Sequence, residues 1–138
     1  MSKLAHAMWR QAMHDRAQAD RLLEGEAFDW AALASQQAAE KALKAVLLMA
    51  GLRADATHNL GGMFDALVAE GIMDRSDRAA LNDDLSFLTL AFGFPRSPSA
   101  VTEQAPADLV TRTQAETAIA GADAIIAVAR RVAPEFGA

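Results

Sequence analysis

Apolar residues recur every three or four positions along most of this chain, and that spacing predicts amphipathic helices. The first helix is predicted over about residues 3–23, with Gly25 as its stop signal. A second helix is predicted over about residues 29–50, where Asp29 would cap the first turn and Gly51 would end the helix in a left-handed conformation. The inward face of this second helix consists mostly of alanine, which lets a neighbouring helix approach closely.

The middle of the chain continues the helical spacing in two further segments. A short helix is predicted over residues 57–70, and Gly71 would close it. A third long helix is predicted to start at Asp74 or Ser76 and to keep the apolar spacing as far as Phe92.

Between residues 93 and 112 the helical spacing disappears, and three prolines interrupt the segment. Loops of this length are uncommon in compact domains and are often functional. The last helix is predicted to begin at Thr113, whose side chain would form a capping box with Glu116. No segment alternates over enough residues to form a strand. We therefore expect one all-α domain over residues 1–138, an up-and-down bundle of four long helices and one short helix.

Composition agrees with packed helices and argues against several classes of protein. Hydrophobic residues make up 52% of the chain but aromatic residues only 6%, so short aliphatic side chains dominate. The absence of cysteine excludes disulfides, thiolate zinc sites and cysteine nucleophiles. A net charge of −5 disfavours general attraction to duplex DNA or to an acidic membrane. The sequence shows neither a membrane-spanning run nor a secretory signal, and we expect a cytoplasmic protein.

The densest polar cluster lies on the second predicted helix, between Gln36 and Lys44. Residues four apart share one helical face, so Gln36, Glu40 and Lys44 align. One interpretation is a solvated stripe that contains a Glu40–Lys44 ion pair. The other is a functional face, in which Lys41 and Lys44 hold phosphate groups and Glu40 is a candidate catalytic base.

The three histidines do not predict a metal site. His6 and His14 lie on roughly the same face of the first helix, but no carboxylate–histidine pattern surrounds them, and we expect no zinc. His58 stands just before a predicted helix. Its side chain would either cap or pack against the backbone, or meet an anion.

The proline-rich segment carries one candidate anion-binding side chain, Arg96. Pro95 and Pro98 flank it and restrict the backbone, which lowers the entropy lost when the guanidinium binds an anion. A salt bridge to the body of the protein is the alternative role. Neither a phosphate-binding loop nor a Gly-x-Ser-x-Gly nucleophile motif is present.

Several motifs, in the same order, resemble those of the HEPN domain family and together cover nearly the whole chain. The first helix resembles the family's Trp-x-x-Ala-x-x-Asp opening at Trp9, Ala12, Asp15 and Ala19. The run of residues 36–45, Gln-Gln-Ala-Ala-Glu-Lys-Ala-Leu-Lys-Ala, resembles its most recognisable stretch. Two shorter segments resemble the family's Thr-His-Asp/Asn-Leu motif and its aromatic residue followed by Arg-Tyr-Pro-Asp: Thr57-His58-Asn59-Leu60, and Phe92 followed by Arg96-Ser97-Pro98-Ser99.

This resemblance implies a helical bundle, usually a homodimer, whose groove binds a nucleotide or RNA. It also implies a nucleotidyltransferase partner and a role in toxin–antitoxin or defence systems. Similar helical domains supply a Glu, and a Lys four residues later, to a nucleotidyltransferase active site, and Glu40 and Lys44 have that spacing.

Two departures from the family pattern argue against catalysis. Ribonuclease members carry an arginine followed, after four to six intervening residues, by a histidine, whereas no histidine follows Arg96 in this sequence. The family's tyrosine and aspartate are replaced by Ser97 and Ser99, so the loop lacks that aromatic ring and that carboxylate.

The resulting hypothesis is a non-catalytic, homodimeric HEPN-type module that binds a nucleotide or an RNA end. Lys41, Lys44 and Arg96 would contact phosphate, His58 would add a hydrogen bond, and Glu40 would orient Lys44 or serve a partner's chemistry. We expect no cofactor other than a nucleotide ligand. The alternatives are a ribonuclease toxin that cuts RNA through Arg96 and His58, and a purely structural dimerisation module.

Overall fold

The computed structural model describes residues 2–54, 57–97, 99, 101 and 103–137, and these residues form helices and connecting loops without a strand. The helices are α1 (Lys3–Glu24), α2 (Phe28–Met49), α3 (Leu60–Ala69), α4 (Arg75–Ala80), α5 (Asn82–Ala91), α6 (Pro106–Leu109) and α7 (Arg112–Val132), followed by a 3₁₀ turn (Pro134–Phe136). The predicted all-α bundle is confirmed. Within the described ranges, no helix is both long enough and apolar enough to span a bilayer.

Helix α2 lies at the centre of the bundle and packs most extensively against α1 and α7. Its buried positions are mostly alanine, as the sequence pattern predicts, and the facing surfaces of α1 and α7 also bury alanines. Small side chains on both sides permit close helix packing. Larger apolar side chains from α3 and α5, with Phe64, Leu67 and Leu88 fully buried, fill the remaining core.

A charged contact joins α1 to α7 at the surface. The Arg16 guanidinium donates from Nε and Nη2 to the two carboxylate oxygens of Asp123, the second bond being 2.9 Å long, and from Nη1 to Asp20. The hydrogen bond that Arg16 donates to Asp123 is the largest influence on this guanidinium and raises its pKa further above the ordinary value. The bidentate geometry therefore fixes how α1 and α7 lie against each other.

The start of α7 differs from the sequence prediction by two residues. The helix begins at Arg112, and the capping box is formed by Thr111 and Gln114 rather than by Thr113 and Glu116. Thr111 Oγ1 accepts from the Gln114 backbone N–H at 3.1 Å, and Gln114 Oε1 accepts from the Thr111 N–H at 2.9 Å. The prediction of the cap at Thr113 was wrong because the sequence contains two overlapping capping-box patterns, and the structure forms the earlier one.

The starts of α2 and α3 also differ from the prediction. Helix α2 follows Ala27, which makes no side-chain cap, so Asp29 lies within the first turn instead of capping it. The short helix starts at Leu60 rather than at Thr57, because Asn59 Oδ1 caps it by accepting from the Gly62 N–H at 3.0 Å.

The helix ends agree better with the prediction. Gly51 and Gly71 adopt φ values of 75° and 74°, the left-handed conformation that glycine reaches without a steric penalty. The predicted stops at these two positions are therefore confirmed.

The third long helix is divided into α4 and α5 at Leu81. Backbone hydrogen bonds continue through this residue, but its ψ of 5° departs from the helical value and separates the two segments. The helix starts after Asp74, one of the two starts that the sequence offers. In the predicted loop that follows, the short helix α6 contacts α2, and Val110 is buried against the core. Pro98, one of the two prolines expected to restrict Arg96, lies outside the described residues.

Candidate functional site

The centre of the candidate site is the carboxylate of Glu40, a buried side chain on α2 that is only 4% exposed. Its Oε1 atom accepts from Gln36 Nε2 at 3.0 Å and lies 2.6 Å from Nδ1 of His58. Its Oε2 atom accepts from Lys44 Nζ at 3.1 Å. Because an ionised carboxylate only accepts hydrogen bonds, Nδ1 of His58 carries the proton in this contact. The described residues offer no hydrogen bond to the other ring nitrogen, Nε2.

Gln36 fixes the carboxylate from inside the bundle. Its side chain is fully buried, donates to Glu40 one turn later, and accepts from Gln37 Nε2 at 2.7 Å. Within the described part of the chain, every buried side-chain nitrogen and oxygen has a hydrogen-bond partner. Burial of Glu40 is tolerated because three donors surround its carboxylate.

His58 connects this cluster to the end of α5 through an aromatic stack. Its ring lies 3.5 Å from that of Phe92, with an angle of 17° between the ring planes. The Arg96 guanidinium lies 4.8 Å from the centre of the same Phe92 ring, and its Nη2 donates to the Phe92 carbonyl oxygen. Three segments distant in the sequence thus converge: α2, the residues before α3, and the chain after α5.

The structure therefore brings together four of the five residues that the sequence singles out: Glu40, Lys44, His58 and Arg96. Lys41, the fifth, turns to a different partner and forms an ion pair with Asp15 of α1. Asp15 also accepts from Gln11 Nε2 at 2.9 Å. The charge of Lys41 is therefore compensated by α1.

Sequence reasoning did not assign a site role to Phe92 or a partner to Lys41. Phe92 supplies the ring that links His58 to Arg96, and its position four residues before Arg96 was the available signal. Asp15 was noticed as part of a family-like motif, but nothing local in the sequence indicates that it pairs with Lys41.

Glu40, Lys44, His58, Phe92 and Arg96 together carry one carboxylate and two permanent cations, so the cluster has a positive formal charge. Lys44 is mostly buried, whereas the His58 side chain is 42% exposed and Arg96 lies at the surface. The arrangement is therefore suited to contact an anion at the surface while its inner half stays fixed.

The two remaining histidines and the acidic residues do not form a metal site. His6 packs edge-on against Phe136, with ring centres 5.2 Å apart. Across the described residues, no group of three His, Cys, Asp or Glu side chains converges in a way that could hold a metal ion.

Comparison with known proteins identifies a family and solved structures that share this fold. The HEPN domain family model matches residues 5–132. The structure is similar to that of TT1696 from Thermus thermophilus, with a TM-score of 0.83 and 28% identity over 95% of this chain and 99% of that one. It is also similar to the HEPN domain protein tm0613 from Thermotoga maritima, with a TM-score of 0.70 and 26% identity over 93% of this chain and 98% of that one.

An archaeal HEPN homologue, ST0689, has the same fold, with a TM-score of 0.71 and 23% identity over 98% of this chain and 99% of that one. No curated protein matches the sequence significantly. The family match spans nearly all of α1 to α7, and it includes every residue of the cluster around Glu40. The chain belongs to the HEPN domain family.

Proposed function

We propose that residues 1–138 form a single non-catalytic HEPN module that binds a phosphate group of a nucleotide or of an RNA end. The family has nucleotide- and RNA-related roles. The observation that carries the proposal for this chain is the convergence of Lys44, His58 and Arg96 around Glu40 and Phe92. Two cations and an imidazole come from three segments, and each is restrained by a contact with Glu40 or Phe92.

Glu40 contributes by preorganising the donors of this site. Its two oxygens hold the ammonium group of Lys44 and the ring of His58, so neither side chain must be ordered when the ligand binds. In the imidazolium form of His58, Nδ1–H donates to Glu40 and Nε2–H donates to a phosphate oxygen. Lys44 has further N–H donors besides the one used by Glu40.

Arg96 supplies the outer contact with the phosphate. Its guanidinium uses one nitrogen for the Phe92 carbonyl and retains other N–H donors for a phosphate oxygen. Lys41 contributes less in this proposal, because its ion pair with Asp15 holds it against α1, whereas Lys44 shares the Glu40 carboxylate with His58.

The module is proposed to act as a homodimer in the cytoplasm, beside a nucleotidyltransferase or within a toxin–antitoxin system. Family resemblance supports each of these roles. On this chain, Leu4 and Trp30 expose 57% and 48% of their surfaces, which adds apolar area that a protein contact would cover. A purely structural dimerisation module is the outcome if no nucleotide or RNA binds.

Calorimetric titration with ATP, GTP and short single-stranded RNA tests the binding function. We expect Lys44→Ala and Arg96→Ala each to weaken binding about tenfold, because each removes a charged hydrogen bond to phosphate. Arg10→Ala, which removes an exposed cation from α1, is the matched control and should leave affinity unchanged. Equal affinities for all four proteins would refute this site.

The contact between Glu40 and His58 favours a second candidate function, RNA cleavage. A carboxylate that holds Nδ1–H leaves Nε2 able to take the proton of a ribose 2′-hydroxyl while that oxygen attacks the adjacent phosphorus. The bond from that phosphorus to the 5′-oxygen of the next nucleotide breaks, and the leaving oxygen takes a proton from water. Incubating the protein with bulk RNA and a metal chelator distinguishes the two functions. Cleavage that is lost in both His58→Ala and Arg96→Ala would establish a ribonuclease, whereas intact RNA supports binding alone.

A further inference from the structure

A second concave feature lies beside the cluster, between the start of α3 and the outer face of α5. It is a cavity of about 320 Å³, within the usual size range of small-ligand sites. Asn59 and Gly61 form one wall, Ser86, Thr89 and Leu90 form the other, and Arg78 of α4 closes one end. The cavity therefore combines an apolar wall with a few polar groups.

Both walls of the cavity adjoin the proposed phosphate site along the chain. On one wall, Asn59 follows His58, so their Cα atoms are separated by only about 3.8 Å. On the other wall, Thr89 precedes Phe92 by three residues, and residues at that spacing are neighbours on a helical face. We infer that a nucleotide whose phosphate is held by His58 extends toward this cavity.

Both walls are held in place by hydrogen bonds. Thr89 Oγ1 accepts from the Leu60 N–H at 3.1 Å and donates to the Leu85 carbonyl at 2.8 Å, which ties α3 to α5. Leu85 is buried, while Leu90 is 70% exposed. Leu85 and Leu90 thus give the cavity an apolar patch that is partly open to solvent, and such a patch suits the flat face of a base.

Arg78 directs its Nη2 atom toward the wall formed by Asn59 and Gly61. Its Nε donates to Asp65 Oδ1 at 2.8 Å and its Nη1 donates to Asn82 Oδ1 at 2.9 Å, and these bonds fix the plane of the guanidinium. Nη2 lies beside Gly61, so close that a Cβ atom at that position would be only 3.0 Å away. The described residues use two of the three guanidinium nitrogens and leave Nη2 as a donor at the cavity.

We propose that this cavity binds the base of the nucleotide whose phosphate is held by Lys44, His58 and Arg96, and that Arg78 Nη2 selects bases with a carbonyl oxygen at the position of guanine O6 or uracil O4. This inference rests on the proposed function. Guanine O6 and uracil O4 accept from a guanidinium, whereas the amino groups of adenine and cytosine at the equivalent positions donate and oppose it. Ser86 and Asn59, on opposite walls, provide further hydrogen-bonding groups in the cavity.

Calorimetric titration of the full chain with GMP, UMP, AMP, CMP and ribose 5-phosphate tests the inference. Ribose 5-phosphate has no base and reports on the phosphate site alone. We expect GMP and UMP to bind about tenfold more tightly than AMP and CMP, as one charged hydrogen bond allows, and ribose 5-phosphate to bind more weakly than GMP. Arg78→Ala should abolish the preference among bases and leave the affinity for ribose 5-phosphate unchanged.

Two further variants show whether the effect of Arg78→Ala comes from the lost contact with the base rather than from the lost positive charge or a loss of stability. Gly61→Ala keeps Arg78 but places a methyl group against Nη2, so it should reduce the same preference. Arg75→Ala removes another arginine from α4 and should change nothing.

The outcomes separate the two proposals. If none of the five compounds binds, the phosphate site fails, and the base site fails with it. If all five bind equally, or if Arg78→Ala retains the preference, the phosphate site stands and the base site is overturned.

Discussion

Two lysines on α2, three residues apart, form ion pairs with carboxylates, yet the two pairs have different surroundings. Lys41 reaches across to Asp15 on α1, and Lys44 stays on its own helix and binds Glu40. The Asp15 carboxylate is partly exposed and otherwise accepts from Gln11 of the same helix. Among the described residues, the first pair therefore joins α1 to α2 and makes no hydrogen bond to a third segment.

The second pair is linked onward to other segments of the chain. Glu40 is more deeply buried than Asp15, and its second oxygen holds His58, which in turn stacks on Phe92. The comparison shows that residue type and helical spacing do not decide whether a lysine–carboxylate pair is structural or belongs to a site. The further partners of the carboxylate decide it.

The largest expected effect is the difference in stability lost when each of the two carboxylates, Glu40 and Asp15, is removed. Glu40→Ala leaves the buried Gln36 amide and the mostly buried Lys44 without their acceptor, so the free energy of unfolding should fall by about 3 kcal/mol. Asp15→Ala, the matched change, should cost about 1 kcal/mol because that pair is more exposed. Urea denaturation measures both. Similar losses for the two variants would remove the distinction that we draw between the pairs.

The next largest effect is the difference in ligand affinity lost when each of the two lysines is removed. Lys44→Ala should weaken affinity for the ligand identified by titration about tenfold, whereas Lys41→Ala should change it less than about twofold, because Asp15 already compensates Lys41. Titrations at two salt concentrations give a second measure, since loss of a phosphate contact also lowers the dependence of affinity on salt. A loss for Lys41→Ala as large as that for Lys44→Ala would place both lysines in the site.

What the sequence could predict of this site is what lies within one helix. The alignment of Gln36, Glu40 and Lys44 follows from their spacing of four, and the structure shows both hydrogen bonds. The stack of His58 on Phe92 joins residues 34 positions apart and depends on how α3 and α5 pack, which no local pattern encodes. The pairing of Lys41 with Asp15 depends in the same way on the packing of α1 against α2.

The fold was predictable for a similar reason, because the apolar spacing and the glycine stops act locally. The errors fall where two local solutions compete. Thr111 and Thr113 both begin a capping-box pattern, and the tertiary position of the helix start selects Thr111. The division at Leu81 leaves the apolar spacing intact, so the sequence pattern contains no sign of it.

A smaller effect tests the aromatic link between His58 and Arg96. Phe92→Leu keeps an apolar side chain but removes the stack and the ring beneath the guanidinium, so ligand affinity should fall about threefold to fivefold. Phe87→Leu is the control, since Phe87 lies on the same helix and contacts Phe94 edge-on instead. Unchanged affinity for Phe92→Leu would show that the ring does not position the binding groups.

The smallest expected effect concerns Asp84, a partly buried carboxylate that forms no ion pair with a described cation and therefore lowers the stability of the folded chain. Burial, with a contribution from the charge of Asp83, raises the pKa of Asp84 on α5, so the ionised form is less favourable in the folded chain than in the unfolded one. A raised pKa in the folded state means that stability falls as pH rises through that pKa. Asp84→Asn should therefore raise the Tm by about 2 °C near neutral pH, and the gain should vanish in acid, where aspartate is protonated in both states. Thermal unfolding of Asp84→Asn and of the weaker control Asp83→Asn at both pH values measures this, and a Tm gain that persists in acid would contradict the electrostatic cause.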